Sequence, residues 1–161
     1  MRTRPISSTL LWATLFLAPA PSLPADPAGQ VVRIHDGDTL TIQAGRGATV
    51  VRLKDIDAPE LSQPYGVASR GSLLALCPVG SYAEATGKDR DRYGRLIVSL
   101  NCGGQDAAVH QVRSGAAWVF RRYVRADSPL FLTEIEAKSA KRGLWANPDP
   151  VPPWQFRKKS P

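Results

Sequence analysis

Val31-Val32-Arg33-Ile34, Thr39-Leu40-Thr41-Ile42 and Thr49-Val50-Val51-Arg52-Leu53 decide the fold. The three runs are short, rich in β-branched residues and separated by Gly and Asp, which is how half-buried strands read. They predict a meander. Asp36-Gly37 signals the hairpin between the first two strands, because Gly tolerates φ > 0, and Gly45 to Gly47 supplies the second turn. From Tyr65 to Leu76 the apolar spacing becomes helical, and Pro78-Val79-Gly80 ends it. Two further strands follow, near Tyr82 to Thr86 and Leu96 to Leu100, joined by a charged turn. Ala107 to Arg113 reads as a short helix stopped by Gly115. Ser128 as N-cap, Pro129 at the first helical position and Gly143 past the end delimit a third helix, supported by the Glu134–Lys138 pair. The tail from Asn147 to Pro161 is proline-rich and then basic. Five strands, with helices after the third and the fifth, predict an α+β fold: a five-stranded OB-fold β-barrel with about three helices.

The composition agrees. A chain of 161 residues, 43% hydrophobic and 22% charged, has room for one domain with a real core and is too apolar for general disorder. Lys plus Arg number 21 against 14 Asp plus Glu, a net charge of +7, which favours a polyanionic partner such as nucleic acid or an acidic membrane face.

Residues 1–25 read as an address. Arg2 and Arg4 precede an apolar stretch from Ile6 to Ala18, and Pro19, Pro21 and Pro24 follow among small residues, the three-part pattern of a signal peptide. The stretch is shorter than the roughly 20 residues of a membrane span. Cleavage near Ala25 leaves a domain over 26–161 that is secreted or periplasmic, without stable membrane association and monomeric. Cys77 and Cys102 are too few for a disulfide scaffold and lack zinc-site spacing. Export brings them into an oxidising compartment, where a Cys77–Cys102 bridge is the expectation and two buried thiols the alternative.

The polar turns carry the chemistry. Asp36-Gly37-Asp38-Thr39 places two carboxylates at a hairpin, and Asp57-Ala58-Pro59-Glu60 places two more directly after the third strand. Hard oxygen donors clustered this way suit Ca²⁺ or Mg²⁺, although either motif alone reads more readily as an ordinary turn or strand end. Arg52 lies on the strand leading into the second acidic turn, and Arg95 closes Arg92-Tyr93-Gly94-Arg95; each guanidinium could grip a phosphate with two hydrogen bonds. Arg52 and Asp57 are separated by an odd offset that puts them on opposite faces of a regular strand, so the chain must be re-aimed between Ile56 and Pro59.

Asp36-Gly37-Asp38-Thr39, Val51 to Glu60, Gln63-Pro64-Tyr65-Gly66, Asp91-Arg92-Tyr93-Gly94-Arg95, Gly115-Ala116-Ala117-Trp118-Val119 and Gly143-Leu144-Trp145 occur in order. This set resembles the staphylococcal nuclease-like (thermonuclease) family across nearly all of residues 30–157. The resemblance implies an OB-fold enzyme that cleaves DNA and RNA with Ca²⁺, leaving 3′-phosphate and 5′-hydroxyl ends. It implies that Asp38 and Asp57 bind Ca²⁺ through carboxylates and Ala58 through its carbonyl. Glu60 then serves as general base or orients the attacking water, and Arg52 and Arg95 hold the phosphate. Arg92 and Tyr93 fall where the family places groups near the terminal phosphate and base. Two departures stand out. The aromatic pair that stacks on the nucleotide is here Phe120-Arg121-Arg122-Tyr123, so Arg121 replaces one aromatic and Tyr123 retains the other; both are expected at the substrate. Lys54-Asp55 stands where Gly is common, which puts the local turn in question.

Blander readings cover the remainder. His35 and His110 read as structural or surface residues, and Trp118, Trp145 and Trp154 as core or tail anchors. Arg121, Arg122, Arg125 and the tail Arg157-Lys158-Lys159 are either a solvated face or contacts to a nucleic-acid backbone. The competing function is a catalytically inactive OB-fold module binding single-stranded nucleic acid. Such a module has little use for five retained site residues, Asp38, Arg52, Asp57, Glu60 and Arg95.

Overall fold

The computed structural model describes residues 28–159, so the leader read over 1–25 lies outside the described residues. The strands β1 (Ala28–Ile34), β2 (Thr39–Ala44) and β3 (Gly47–Leu53) form the antiparallel meander. β4 is the two-residue strand Ile56–Asp57, and helix α1 (Gly66–Leu76) follows it. Next come β5 (Tyr82–Thr86) and β6 (Leu96–Cys102). The order β3-β2-β1-β5-β6, with β3 also pairing in parallel with β6, closes a five-stranded barrel and leaves none of the five as a free edge. Alternation is clean along β6, where Leu96, Val98, Leu100 and Cys102 face inward, joined in the core by Val31, Ile34, Leu40, Ile42, Val51 and Leu53.

β7 (Gln105–Asp106) leads into α2 (Ala107–Arg113), capped by the Asp106 carboxylate, which accepts from Val109 N. β8 (Trp118–Val119) pairs antiparallel with β4, and α3 (Leu130–Ser139) and α4 (Pro153–Lys159) complete the described chain. α4 is a fourth helix that the proline-rich reading of the tail did not foresee: Pro153 occupies a helix's first turn, where its missing N–H costs nothing. α3 ends at Ser139, well before Gly143, which instead opens a 3-10 turn, Gly143–Ala146, in the left-handed conformation at φ 56°.

Gly37 is needed for a different reason from the expected one. It is absent from the positive-φ residues, but a Cβ there would lie 1.8 Å from Ser69 Oγ of α1. The Gln111 side chain of α2 donates to the Gly37 carbonyl at 2.6 Å and to the Ser69 carbonyl at 3.1 Å. The acidic hairpin is thereby held against two helices. Gly45, by contrast, does turn the β2–β3 connection at φ 57°.

Cys77, the C-terminal cap of α1, and Cys102, the last residue of β6, are joined as a disulfide with their Cα atoms 5.5 Å apart. The bond ties α1 to the barrel. No described helix is long and apolar enough to cross a membrane.

Candidate active site: an arginine–carboxylate network at one barrel end

The chain is re-aimed at Asp55, one residue earlier than the sequence suggested. Asp55 adopts φ 67°, the left-handed region that Asp tolerates better than most side chains, at the position where the resemblance favours Gly. This breaks the strand between β3 and β4, and the Phe120 N–H donates to the Asp55 carbonyl at 2.8 Å to fix the new direction. Arg52 and Asp57 therefore meet: Arg52 Nη2 donates to Asp57 Oδ1 at 2.8 Å.

Arg52 Nη1 also donates to Asp38 Oδ1 at 2.6 Å, so one guanidinium bridges the two acidic turns. Asp38 and Asp57 are buried, with 2% and 0% exposure. Asp38 further accepts from Thr39 Oγ1 at 2.8 Å and, through Oδ2, from the Ala58 N–H at 2.9 Å, which brings Ala58 beside it. Burial pushes the Asp38 carboxyl up to about 6, with the Arg52 charge opposing the rise. Asp36 stands apart, its carboxylate accepting from the Asp38 N–H at 3.0 Å and shaping the hairpin.

Arg95 reaches the same end from the β5–β6 connection. Its Nε donates to Asp91 Oδ2 at 2.7 Å, while Nη1 lies 3.3 Å from Thr39 Oγ1. Asp91 Oδ1 accepts from the N–H groups of Tyr93 and Arg95, so one carboxylate both forms the turn and aims the arginine. Glu60 sits on the loop after β4, whose path is set by Gln63: its side-chain oxygen accepts from the Glu60 N–H at 3.3 Å, and its N–H donates to the Glu60 carbonyl at 2.9 Å.

The structure brings Asp38, Arg52, Asp57, Ala58, Glu60 and Arg95 together. Arg92 and Tyr93 form an exposed pair at the edge: Arg92 Nη2 donates to Tyr93 Oη at 2.7 Å, and the Arg95 guanidinium lies 5.5 Å from the Tyr93 ring. Arg121 is engaged elsewhere, whereas Tyr123 stays exposed. Arg121 pairs with the buried Glu134 of α3 at 3.1 Å and covers the Phe131 ring at 4.7 Å. Tyr123 packs edge-on against Phe120 at 5.2 Å. Glu134, noticed in the sequence only as a partner of Lys138, is an anchor: it also accepts from the Val119 N–H at 3.0 Å, fixing β8 and hence β4.

His35 and Trp154 match their structural readings. His35 Nε2 lies 2.8 Å from Thr41 Oγ1, and Trp154 stacks on Phe120 at 5.6 Å. Arg157, a basic tail residue in the sequence, belongs to the site. Its Nη2 donates to Asp57 Oδ2 at 2.7 Å and its Nη1 to Glu60 Oε1 at 2.7 Å. Desolvation works against its charge, but these bonds raise its pKa above the ordinary arginine value. The signal available was Trp154, an anchor one helical turn before Arg157.

Among the described residues no group of three or more His, Cys, Asp and Glu side chains is placed to hold a metal. The donor set nonetheless suits a hard cation: two buried carboxylates beside Ala58, with a positive group, Arg157, already standing between Asp57 and Glu60.

Fold and site together define a small barrel with an acid–arginine centre, chemistry directed at phosphate. The chain matches the staphylococcal nuclease homologue family over residues 50–147. It is 42% identical over 144 residues to a protein of Escherichia coli O157:H7 named as an uncharacterized endonuclease, covering 89% of this chain and 93% of that one. It is 37% identical over 146 residues to a micrococcal nuclease of Shigella flexneri, covering 84% and 83% of the two chains. The chain belongs to the staphylococcal nuclease family and is a nuclease, an enzyme that cleaves phosphodiester bonds.

Proposed function

We propose that this nuclease is Ca²⁺-dependent and hydrolyses both DNA and RNA to 3′-phosphate and 5′-hydroxyl ends. The observation that carries this reading is Arg52 bridging the buried Asp38 and Asp57, which gathers both acidic turns and an arginine at one barrel end. Asp38, Asp57 and the Ala58 carbonyl would hold the cation. When bound, Ca²⁺ would act as a Lewis acid toward the phosphodiester.

The protein's own groups account for the remaining chemistry. Glu60 accepts a proton from the water that attacks phosphorus, or at least orients that water. Arg52 and Arg95 present planar donors to the phosphate oxygens and stabilise their charge as the bond to the 5′ oxygen breaks. Asp91 and Thr39 keep Arg95 aimed before substrate arrives. Arg92 and Tyr93, exposed at the edge, suit the terminal phosphate and base of the nucleotide. Tyr123 remains accessible for stacking at 67% exposure, whereas Arg121 reaches substrate only by leaving Glu134.

The basic charge and the leader read over residues 1–25 support an enzyme exported to act on polyanions outside the cytoplasm, which fractionation and N-terminal sequencing test. The activity is tested by incubating purified protein with DNA and with RNA, in Ca²⁺ or in chelator, and analysing the new ends. Cleavage in Ca²⁺ alone, leaving 3′-phosphates on both polymers, is expected. Metal-independent cutting or 5′-phosphate products contradict it.

A further inference from the structure

Arg157 is the one site arginine that comes from the far end of the chain, 100 residues after Asp57. Its helix is fastened at three points around the site. The Gln63 side chain donates to the Val151 carbonyl just ahead of α4, Trp154 stacks on Phe120 with planes 24° apart, and Arg157 forms its two ion pairs. Phe120 and Gln63 both adjoin the elements that place Asp57 and Glu60, so the docking of α4 and the position of Arg157 form one unit.

The ion pairs occupy the groups that the proposed chemistry needs. Asp57 Oδ2 takes Arg157 Nη2 at 2.7 Å, and Asp57 Oδ1 is shared between Arg52 at 2.8 Å and Arg157 at 3.3 Å. Both oxygens of a carboxylate with 1% side-chain exposure are thus committed to guanidinium donors. A divalent cation needs at least one of them, so it must displace a guanidinium donor, and Oδ2 is held by Arg157 alone. Glu60 is committed as well, through Oε1. The Arg157 side chain is 43% exposed, so it can swing toward solvent without unfolding the barrel.

We propose that Arg157 is a tethered counter-ion that closes the Asp57–Glu60 pair in the metal-free protein, so that divalent-cation binding and docking of Arg157 exclude one another. The inference rests on the metal reading above and adds an intrinsic competitor to it. In the metal-free protein the guanidinium compensates a buried carboxylate that would otherwise be left short of positive charge. The entering cation takes over that compensation, frees Glu60 for water and loosens the last turn of α4. Linkage makes the effect reciprocal: whatever detaches α4 strengthens cation binding by the same factor.

Calorimetric titration with Ca²⁺, without nucleic acid, tests this on the full chain and on two variants. Arg157→Gln removes the competing charge, and Trp154→Ala weakens the docking of α4 without touching a carboxylate. Both are expected to bind Ca²⁺ more tightly, Arg157→Gln by about 10-fold or more, within the usual range of coupling between linked sites. In the parent protein the Trp154 indole ¹⁵N–¹H resonance is expected to shift as Ca²⁺ is added. Equal Ca²⁺ affinity in all three proteins, or weaker binding by Arg157→Gln with its thermal unfolding unchanged, overturns the proposal while leaving the metal reading intact. Absence of Ca²⁺ binding in all three overturns both.

Discussion

Arg52 Nη1 lies 2.6 Å from Asp38 Oδ1, a contact set by strand register: Arg52 pairs with Thr39 across β2 and β3, and Asp38 immediately precedes Thr39. The bridge is therefore part of the barrel. Its second nitrogen holds Asp57, which also keeps Arg157, so removing the guanidinium leaves the buried Asp38 without its cationic partner and takes one of two from Asp57. Arg52→Ala is expected to lower unfolding free energy by about 3–5 kcal/mol, the scale for breaking a buried ion pair from one side. Denaturant unfolding measures it; an unchanged midpoint contradicts the bridge.

Asp91 holds Arg95 through two hydrogen bonds to the guanidinium and backbone. Arg95→Ala is expected to lower turnover by at least ~10²-fold, the scale for one electrostatic donor. Asp91→Asn should lower it less, since the arginine remains but is poorly aimed. Steady-state kinetics decide this: equal losses in KM and none in kcat would show that neither residue acts in the chemical step.

The Cys77–Cys102 bond lies between α1 and β6, away from the carboxylates. Closing a loop of this length stabilises by about 3–4 kcal/mol in the chain-entropy model. Reduction should lower the thermal midpoint while room-temperature activity persists, because no sulfur enters the chemistry. Intact-mass analysis with alkylation, with and without reductant, establishes the bond; full labelling of both thiols without reductant contradicts it.

Burial lowers the His35 pKa, and the charges of Arg33 and Arg70 add to the effect. A depressed native value means that the unfolded chain takes up this proton first as pH falls. His35 therefore contributes fully above its unfolded value of about 6.5, and its contribution declines as pH drops through the native value. An NMR titration of the His35 ring should give a midpoint below 6.5; a midpoint at or above it contradicts the placement against Thr41.

The barrel was legible because its signals are local. β-branched runs, Gly45 and the spacing of Leu96, Val98 and Leu100 each report on a strand within a few residues. The acidic turns were legible for the same reason. What the sequence hid depends on distant approach. Gly37 reads as a turn residue, yet its lack of a side chain makes room for Ser69. Arg121 reads as a substrate group, but α3 engages it through Glu134, and nothing local announces that Glu134 is buried. Arg157 reads as one of three basic tail residues. Only the stacking of Trp154 on Phe120 carries it to Asp57 and Glu60.

Cleavage rate against Ca²⁺ concentration, compared between the parent protein and Asp57→Asn, tests the central claim most directly. Asp57 is fully buried and joins both proposed arginine partners, so the substitution removes one ligand charge at nearly constant volume. The parent rate should saturate with Ca²⁺ and vanish in chelator, while Asp57→Asn, folded by circular dichroism, should lose most turnover and require far more Ca²⁺. A folded Asp57→Asn protein that cleaves at the parental rate with the same Ca²⁺ dependence would contradict the assignment of this network as the metal-dependent centre.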